Sequence, residues 1–524
     1  MIISLNTLKS TGWQDQIFKM LKNLLFIIFP FLLLSQTEPI ENLQINSPRV
    51  WTLTNGMIHT APGDFIKGGS IVIRDGKIEA VGRYIKSPKD AYEINLEGAH
   101  VYAGFIESWL ETKSYNDKSK TKRRHWDLKV RPGYRSVDNF DVKEKDLKAL
   151  RSLGFTSAQL APTQGIFRGQ TGIVSLSENP RAINSSIAQV IDFKYQTKGV
   201  RTYPRSLLGV IAHIRQTFYN SDWYLKAQEI IQAYPSENEP LSSNSSLESL
   251  GLSRVLNKPF IFISSGENSN SRAMNISREF GLTPWILGSG YEYRDLDSFS
   301  DIKPFFIVPL NFPSKPNVTK FMSDLQYSTK ELKHWDIAPD NLLYLYNADH
   351  NFSITSHGLK KKSDFRKHLQ KIIDRGLNKD ILLAALTTHP AEALGLEKSN
   401  GKISRGYNAN LVIVDGEYFD QKSKVVSVWV DGKEIYISSK KTPSFLGEWS
   451  LKYNGTAYEL KIVDLLKDQT NNFENKIFSG SIYHQGKTID LYNIDIFESS
   501  ISFSINGISI GHKGSITFNG ELKK

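Results

Sequence analysis

The chain has 524 residues, 40% hydrophobic and 23% charged, which is the composition of a globular protein with room for roughly two to four domains. It contains no cysteine, which excludes disulfides, thiolate metal sites and cysteine nucleophiles. Its formal charge of +11 has no accompanying helix-turn-helix, zinc-finger or aromatic-basic strand pattern, so nucleic-acid binding is not predicted. The basic run KSKTKRR, residues 118–124, indicates a solvated loop or a surface for an anionic partner.

Residues 1–36 are predicted to be a secretory signal peptide. From Met20, an alternative translation start, the sequence MLKNLLFIIFPFLLLSQTEP has a lysine, an apolar run from Leu24 to Leu34 and a polar break. The run is well short of the ~20 residues that a bilayer requires and contains Pro30, so no membrane span is predicted. We expect cleavage near Ser35 and an exported protein, periplasmic or extracellular.

Residues 45–102 are predicted to form small antiparallel strands. In VWTLTNGMIHT and SIVIRDGKIEAVG, the pairs Asn55-Gly56 and Asp75-Gly76 indicate tight turns. Strands return in residues 400–440, within GKISRGYNANLVIVDG and VVSVWVDGKEIYI. We expect both segments to share one composite β-sandwich domain.

Residues 103–399 alternate apolar strands with helical stretches. The strands include FTSAQLAP, KPFIFISS, TPWILGSG, KPFFIVPL and NFSITS, and the helices include DVKEKDLKALRSLG, SNSRAMNISREFG and SDFRKHLQKIIDRG. This alternation predicts a (β/α)₈ TIM-like barrel inserted into the composite domain, and hence an α/β fold class. GIFRGQTG is interpreted as a loop over the barrel mouth, and ILLAALTTHPAEALGL as one helix.

Residues 444–524 are predicted to be a separate C-terminal all-β module. They contain about six short apolar runs with Asn-Gly pairs at 454, 506 and 519, which indicate turns in a sandwich or open barrel.

Two long segments carry a family resemblance. SIVIRDGKIEAVG with GAHVYAGFIES, and TTHPAEALGLEKSNGKISRGYNANLVIVDG, resemble the hallmark segments of the amidohydrolase superfamily in its imidazolonepropionase-like branch. GFTSAQLAPTQGIFRGQTGIVSL, PFFIVPLNFPSKP and FSITSHGLKKKSDF resemble the first half of exported proteins with two such units in tandem. The resemblance covers residues 48–440. It implies hydrolysis of carbon–nitrogen, non-peptide bonds by a metal-bound hydroxide held by histidines and an aspartate.

The places that the resemblance assigns to metal ligands hold other residues here. Where the family has PGFID-x-H-x-H, this chain has Trp109 and Glu111 in the two histidine places. By rough placement, two later histidines fall on Ser265 (or the adjacent Ser264) and on Ser289, and the aspartate on His357. We therefore predict no metal and no cofactor, with a divalent metal such as zinc expected only if the site is atypical. The catalytic residues stay unassigned.

The remaining candidates each have a structural alternative. No two of the eleven histidines are spaced as H-x-H or H-E-x-x-H. His350 and His357 flank the eighth predicted barrel strand and either reach the mouth or serve as hydrogen-bonded structural residues. His389 is expected to lie at the surface or cap a helix. Glu111 ligates a hard cation or faces water or a lysine, and Trp109 plugs the barrel or lines an open binding mouth.

Two functions stay open after the sequence has been examined for other chemistry. No G-x-S-x-G elbow, phosphate loop or dinucleotide fingerprint occurs. The chain is a hydrolase with an unusual metal site, or it is a non-catalytic structural or binding half that pairs with a second, competent amidohydrolase unit. Its small-molecule or peptide-like ligand and its oligomeric state are not predicted.

Overall fold

The computed structural model describes residues 49–112, 125–139, 142–195, 203–235, 241–317, 326–437, 445, 447–453, 456–464, 478–484, 486–497 and 500–521. The predicted signal peptide and the basic run 118–124 lie outside these residues. Among the described helices, none has the length and apolarity needed to cross a bilayer.

The described strands lie at the following positions. They are β1 (Val50–Ala61), β2 (Asp64–Arg74), β3 (Lys77–Gly82), β4 (Tyr92–Asn95), β5 (His100–Ala103), β6 (Phe105–Thr112), β7 (Phe155–Pro162), β8 (Phe167–Gln170), β9 (Gly172–Ser175), β10 (Ala182–Asn184), β11 (Gln189–Asp192), β12 (Phe260–Ile263), β13 (Pro284–Leu287), β14 (Phe305–Pro309), β15 (Phe352–Thr355), β16 (Leu411–Val414), β17 (Val425–Val430), β18 (Lys433–Tyr436), β19 (Gly447–Tyr453), β20 (Thr456–Asp464), β21 (Phe478–His484), β22 (Lys487–Asp490), β23 (Tyr492–Phe497), β24 (Ser500–Asn506) and β25 (Ser515–Glu521).

The α-helices lie mainly between the strands of the central region. They are α1 (Glu144–Arg151), α2 (Leu207–Ala233), α3 (Ser245–Val255), α4 (Glu267–Phe280), α5 (Thr329–Ile337), α6 (Asn341–Asn347), α7 (Asp364–Asp374), α8 (Lys379–Leu386) and α9 (Thr388–Ala393). The single helix expected from ILLAALTTHPAEALGL is broken into α8 and α9 at Thr387, whose φ of −128° and ψ of −76° are not helical.

The first sheet combines strands from both sides of the central region. β16 pairs antiparallel with β5, and β17 and β18 extend the same edge. The expected sandwich is one continuous eight-stranded hydrogen-bonded sheet in the described residues. Asp75-Gly76 forms the expected turn between β2 and β3. Asn55-Gly56 instead lies inside β1 as a bulge, because buried residues on both sides, Leu53 and Ile58, keep the strand paired with β2.

The central region has a TIM-barrel-like α/β fold. β6 pairs parallel with β7, and β11 to β15 form a continuous parallel ladder. β15 packs beside β6. The antiparallel strands β8 and β9 stand between β11 and β7, so GIFRGQTG, interpreted as a loop, is strand-forming. The described residues hold seven parallel barrel strands in two sheets, which differs from the eight β/α units predicted.

Alternate side chains of the parallel strands form two layers. One layer faces the barrel interior, where Trp109 packs with a set of apolar residues. These are Ile261, Trp285, Leu287 and Ile307 from the strands and Ala391 from α9, with Leu394 and Leu396 just beyond it. The other layer, which includes Phe262 and Phe306, packs against the surrounding helices. α9 therefore closes the end of the barrel at which the parallel strands begin.

The C-terminal region contains two further sheets, β19 to β22 and β23 to β25. Ile462 and Ile482 of the first pack with Phe503 and Ile505 of the second in a separate core. Asn506 ends β24 as expected, and its side chain accepts the amide of Ile508. The pair at 519 lies within β25 and is not a turn, and the pair at 454 lies outside the described residues.

Candidate functional site

The candidate site lies where the parallel strands end, since the mouth of a TIM-like barrel is built there. The structure places the sequence-predicted residues at several strand ends around this mouth. Trp109 and Glu111 lie on β6, Ser264 and Ser265 follow β12, Ser289 follows β13, and His357 follows β15.

Trp109 fills part of the barrel interior. Its side chain is 1% exposed and belongs to the interior cluster with Trp285 and Ile307. The indole ring meets the imidazole of His357 edge-on, with centroids 6.4 Å apart. Its Nε1–H has no hydrogen-bond partner among the described residues. An indole thus occupies the place that the resemblance gives to the first histidine ligand.

Glu111 is partly exposed to water, as expected, and forms an ion pair with an arginine and not with a lysine. Its Oε1 lies 3.5 Å from Nη1 of Arg168, on the antiparallel strand β8. The Nη2 of Arg168 donates to Oδ2 of Asp192 at the end of β11, at 2.5 Å. One buried guanidinium therefore joins two carboxylates at the mouth.

Ser265 and Ser289, the residues at the two serine places, form local hydrogen bonds. Ser265 Oγ lies 2.8 Å from the hydroxyl of Ser269. The amide of Ser289 donates to Oε1 of Glu292 at 2.6 Å. Glu292 is fully buried and also accepts Nδ2–H of Asn341 at 2.7 Å, so this strand end is organised around a carboxylate.

The three candidate histidines lie in different places. Burial lowers the pKa of His357 at the mouth, although nearby Glu111 opposes the shift. His350 precedes β15, at the opposite end of the barrel from the mouth, where its ring lies 5.4 Å from that of Phe306. His389 lies on α9, with Nδ1 3.0 Å from a backbone carbonyl at the start of β15. Only His357 of the three lies beside the other candidate residues.

Glu107 forms a buried network that the sequence analysis missed. Its side chain is fully buried, and its carboxylate accepts hydrogen bonds from the hydroxyls of Thr355 and Ser356. The amide of Ser356 donates to Oε2 at 3.0 Å. Lys362 Nζ donates to the same serine, to Oγ at 2.8 Å and to the carbonyl at 2.6 Å. One serine therefore links a buried carboxylate to an ammonium group.

The electrostatics of Lys362 follow from its position. Burial lowers the pKa of the Lys362 ammonium, and the carboxylate of Glu107 opposes that shift. The sequence signal was a single acid in the apolar run GFIESWL, because a carboxylate in a buried strand requires donors and a compensating charge. The sequence did not indicate which residues supply them.

The donors at these positions do not fit a zinc centre. Zinc takes imidazole, thiolate or carboxylate ligands that converge on one point. The places concerned hold an indole, two hydroxyls, a carboxylate paired with Arg168, and a buried imidazole. Within the described ranges, no group of three or more His, Asp or Glu side chains is arranged to hold a metal ion.

Comparisons with known proteins agree with this fold. A family model described as amidohydrolase family matches residues 371–436, from α7 to β18. A curated amidohydrolase, tasK of Hapsidospora irregularis, is 39% identical over 57 residues, which are 11% of this chain and 6% of that protein. The crystal structure of an amidohydrolase from Thermotoga maritima MSB8 is 21% identical, with a TM-score of 0.60 over 74% of this chain and 99% of that chain.

Residues 371–436 are similar to the amidohydrolase family, and the fold is similar to that of the amidohydrolase from Thermotoga maritima. The sequence matches cover only a small part of the chain, and the family-model match begins after β15. None of the mouth residues from Glu107 to Lys362 lies in that match, so it carries no information on their roles. The matched segment spans a small fraction of the length of the curated relative.

Proposed function

We propose that this chain is an exported amidohydrolase-superfamily protein whose barrel does not assemble the family's metal centre. In this proposal it is a non-catalytic structural or binding half that pairs with a second, metal-competent amidohydrolase unit. The class implies hydrolysis of carbon–nitrogen bonds other than peptide bonds, and we assign that activity to the assembled pair.

The burial of Trp109 is the observation that carries the proposal. An indole that is 1% exposed and packed on Trp285 leaves the first ligand place without a metal donor. Its volume exceeds that of an imidazole, and a buried tryptophan covers ~150–250 Å² of largely apolar surface. The side chain therefore acts as packing where a ligand would be needed.

The network around Glu107 supports the same proposal. A metal ion in a barrel mouth supplies positive charge to the carboxylates around it. Here Lys362 lies beside Glu107, and Arg168 joins Glu111 to Asp192. Two cations of the chain itself, Lys362 and Arg168, thus supply positive charge near three of the carboxylates of the mouth.

The length of a curated relative supports the pairing with a second unit. The matched 57 residues are 11% of this chain but 6% of the curated amidohydrolase tasK, so that protein is nearly twice as long as this chain. A relative of that length has room for a second barrel. Co-purification of this chain with the product of an adjoining gene that carries an intact H-x-H unit tests the pairing.

One observation favours a second candidate, hydrolysis by this barrel itself at an atypical site. Burial lowers the pKa of His357, so its imidazole is neutral near pH 7 and able to accept a proton. Glu111, a carboxylate that is partly exposed at the mouth, lies close enough to His357 to oppose that shift in pKa. A general base of this kind acts on a water molecule without the family's ligand set.

Metal analysis combined with assays separates the two candidates. The purified chain, grown with added zinc and manganese, is analysed for bound metal and assayed against cyclic amides and dipeptides. We expect far less than one metal ion per chain and no turnover, also for Trp109→His/Glu111→His, because Ser265, Ser289 and His357 still hold the other places. One or two metal ions per chain, or turnover that is lost in His357→Gln, would contradict the proposal.

Export has its own test. Cell fractionation and N-terminal sequencing of the protein expressed from its full gene should find a mature chain that begins close to residue 36 outside the cytoplasm. Protein that keeps its intact N-terminus in the cytoplasm would rule export out.

A further inference from the structure

Helix α2 carries an exposed apolar stripe that runs along most of its length. Its opposite face is buried, with Val210, Ile214 and Phe218 in the main core. Six exposed apolar side chains lie along one line, namely Leu208, Ala212, Tyr219, Trp223, Ile230 and, at the C-cap, Tyr234. The five large ones are between 54% and 77% exposed. The exposed Ala233 lies next to the C-cap, and the exposed Lys226 is a single charged residue within the stripe. A helix that is apolar on both faces normally buries both.

The stripe is straight. At 100° per residue, the positions from 208 to 230 fall within an arc of about 60°. They follow one another in alternating steps of four and seven residues. The two steps make an eleven-residue repeat of 3.67 residues per turn, so the stripe runs nearly parallel to the helix axis. Because α2 has 27 residues, the stripe extends over ~40 Å.

The spacing of the stripe residues is the same in both directions along the helix. The steps are four, seven, four, seven and four, and they are symmetric about Ser221. Two copies of α2 placed antiparallel about a two-fold axis at that level match every stripe residue with another. The pairs are Leu208 with Tyr234, Ala212 with Ile230, and Tyr219 with Trp223. Such a patch is self-complementary, as an isologous interface requires.

The area of the stripe and the charges beside it fit a second copy of the chain as the partner that covers it. Covering five large and one small side chain removes roughly 600–700 Å² per copy, close to the ~800 Å² per partner of a standard interface. The same two-fold relation places Lys226 opposite Gln216 and Arg215 opposite Ala227. No like charges meet along the stripe.

We propose that this chain forms a homodimer in which the stripes of two α2 helices pack antiparallel about a two-fold axis at Ser221. The partner for this surface is a second copy of the chain. The surface is independent of the barrel mouth, so the dimer stands whether or not the barrel is catalytic.

The molecular mass of the chain in solution tests whether it forms the proposed dimer. Sedimentation equilibrium of the full chain at ~50 µM should give a dimer, since interfaces of this size reach micromolar affinity or better. Trp223→Lys should weaken the dimer at least 100-fold, while the control Tyr84→Lys, at a side chain 90% exposed outside the stripe, should not. At a concentration low enough for the parent to be monomeric, both variants should melt as the parent does, which shows that they fold. A monomeric parent, or a dimer that persists in Trp223→Lys, would overturn the proposal.

Cross-linking tests the register, and the absence of native cysteine removes any background. Ala212→Cys and Ile230→Cys are prepared separately, mixed, and treated with a short bis-maleimide. The mixture should cross-link, while each variant alone should not, because like positions lie ~27 Å apart in an antiparallel pair. Cross-linking of each variant with itself, or none in the mixture, would exclude the antiparallel pairing.

Discussion

Glu107 on β6 accepts a hydrogen bond from the hydroxyl of Ser356, although the two residues are 249 positions apart. The contact joins the first parallel strand of the barrel to the end of the last one. Lys362 completes it by donating to the same hydroxyl at 2.8 Å. The two sheets are thus connected at the mouth by a charged network inside the protein.

This network leads to a prediction for Lys362. Lys362→Met should lower the free energy of unfolding by ~3–5 kcal/mol, because it leaves the buried carboxylate of Glu107 without a compensating cation. The measurement is urea unfolding at pH 7. In a double-mutant cycle with Glu107→Gln, the two changes should couple by at least ~1 kcal/mol, because the second removes the charge that the first exposes. Additive effects would show that the two groups do not interact.

A second prediction concerns a histidine pair in the first sheet. His59 Nε2 lies 3.1 Å from His100 Nδ1. Burial, and next the neighbouring His100, lowers the pKa of His59 from 6.5 to about 4. Between these values the unfolded chain binds a proton that the folded chain does not. The free energy of unfolding should therefore fall as the pH drops from 6.5 and level off below about 4.

Comparison with His59→Gln isolates the contribution of His59, because burial lowers the pKa of other histidines as well, among them His100 and His350. Unfolding curves of parent and variant are measured at several pH values between 7 and 4. The variant should lose stability with a shallower slope. Parallel curves for the two proteins would mean that His59 titrates alike in the folded and unfolded states.

A third prediction concerns Gly104, where the chain passes from the first sheet into the barrel. A Cβ at this position would lie 2.2 Å from Oγ1 of Thr156. Gly104→Ala should therefore cost ~1–3 kcal/mol by overpacking, and Thr156→Ala should restore part of it. Gly133→Ala, where the nearest atom would be 3.4 Å away, is the matched control and should be close to neutral. Thermal unfolding of the four proteins decides.

The sequence predicted the strands well where they are long and apolar. FTSAQLAP coincides with β7, Phe155–Pro162, and every residue of it is buried. A strand buried on both faces carries mostly apolar and small side chains, a pattern that needs no tertiary information, and here only Thr156, Ser157 and Gln159 interrupt it. Asn55-Gly56 shows the limit, because the same dipeptide forms a hairpin turn or a bulge depending on whether the flanking residues stay paired.

Features that depend on distant residues were not predictable. Helix α2 has no clear apolar periodicity, because Tyr219 and Trp223 add an apolar stripe opposite the buried face, and the sequence analysis did not identify it. Trp109 and Glu111 were recognised from a motif. Arg168, the partner of Glu111, lies in GIFRGQTG, a segment whose sequence indicates a loop but which forms strand β8. Only the folded chain shows that pairing.

The central claim is that the side chain of Trp109 fills the barrel interior where the family would hold its metal. Thermal unfolding of Trp109→Ala, with Trp126→Ala as the control, tests this claim most directly. Trp109 is 1% exposed and Trp126 is 75% exposed, so only the first substitution leaves a void. We expect Trp109→Ala to lose ~3–5 kcal/mol and to melt several degrees below the parent, while Trp126→Ala stays within ~0.5 kcal/mol. A melting temperature of Trp109→Ala within about one degree of the parent would contradict the account, because the side chain would then line an open mouth and not fill the barrel.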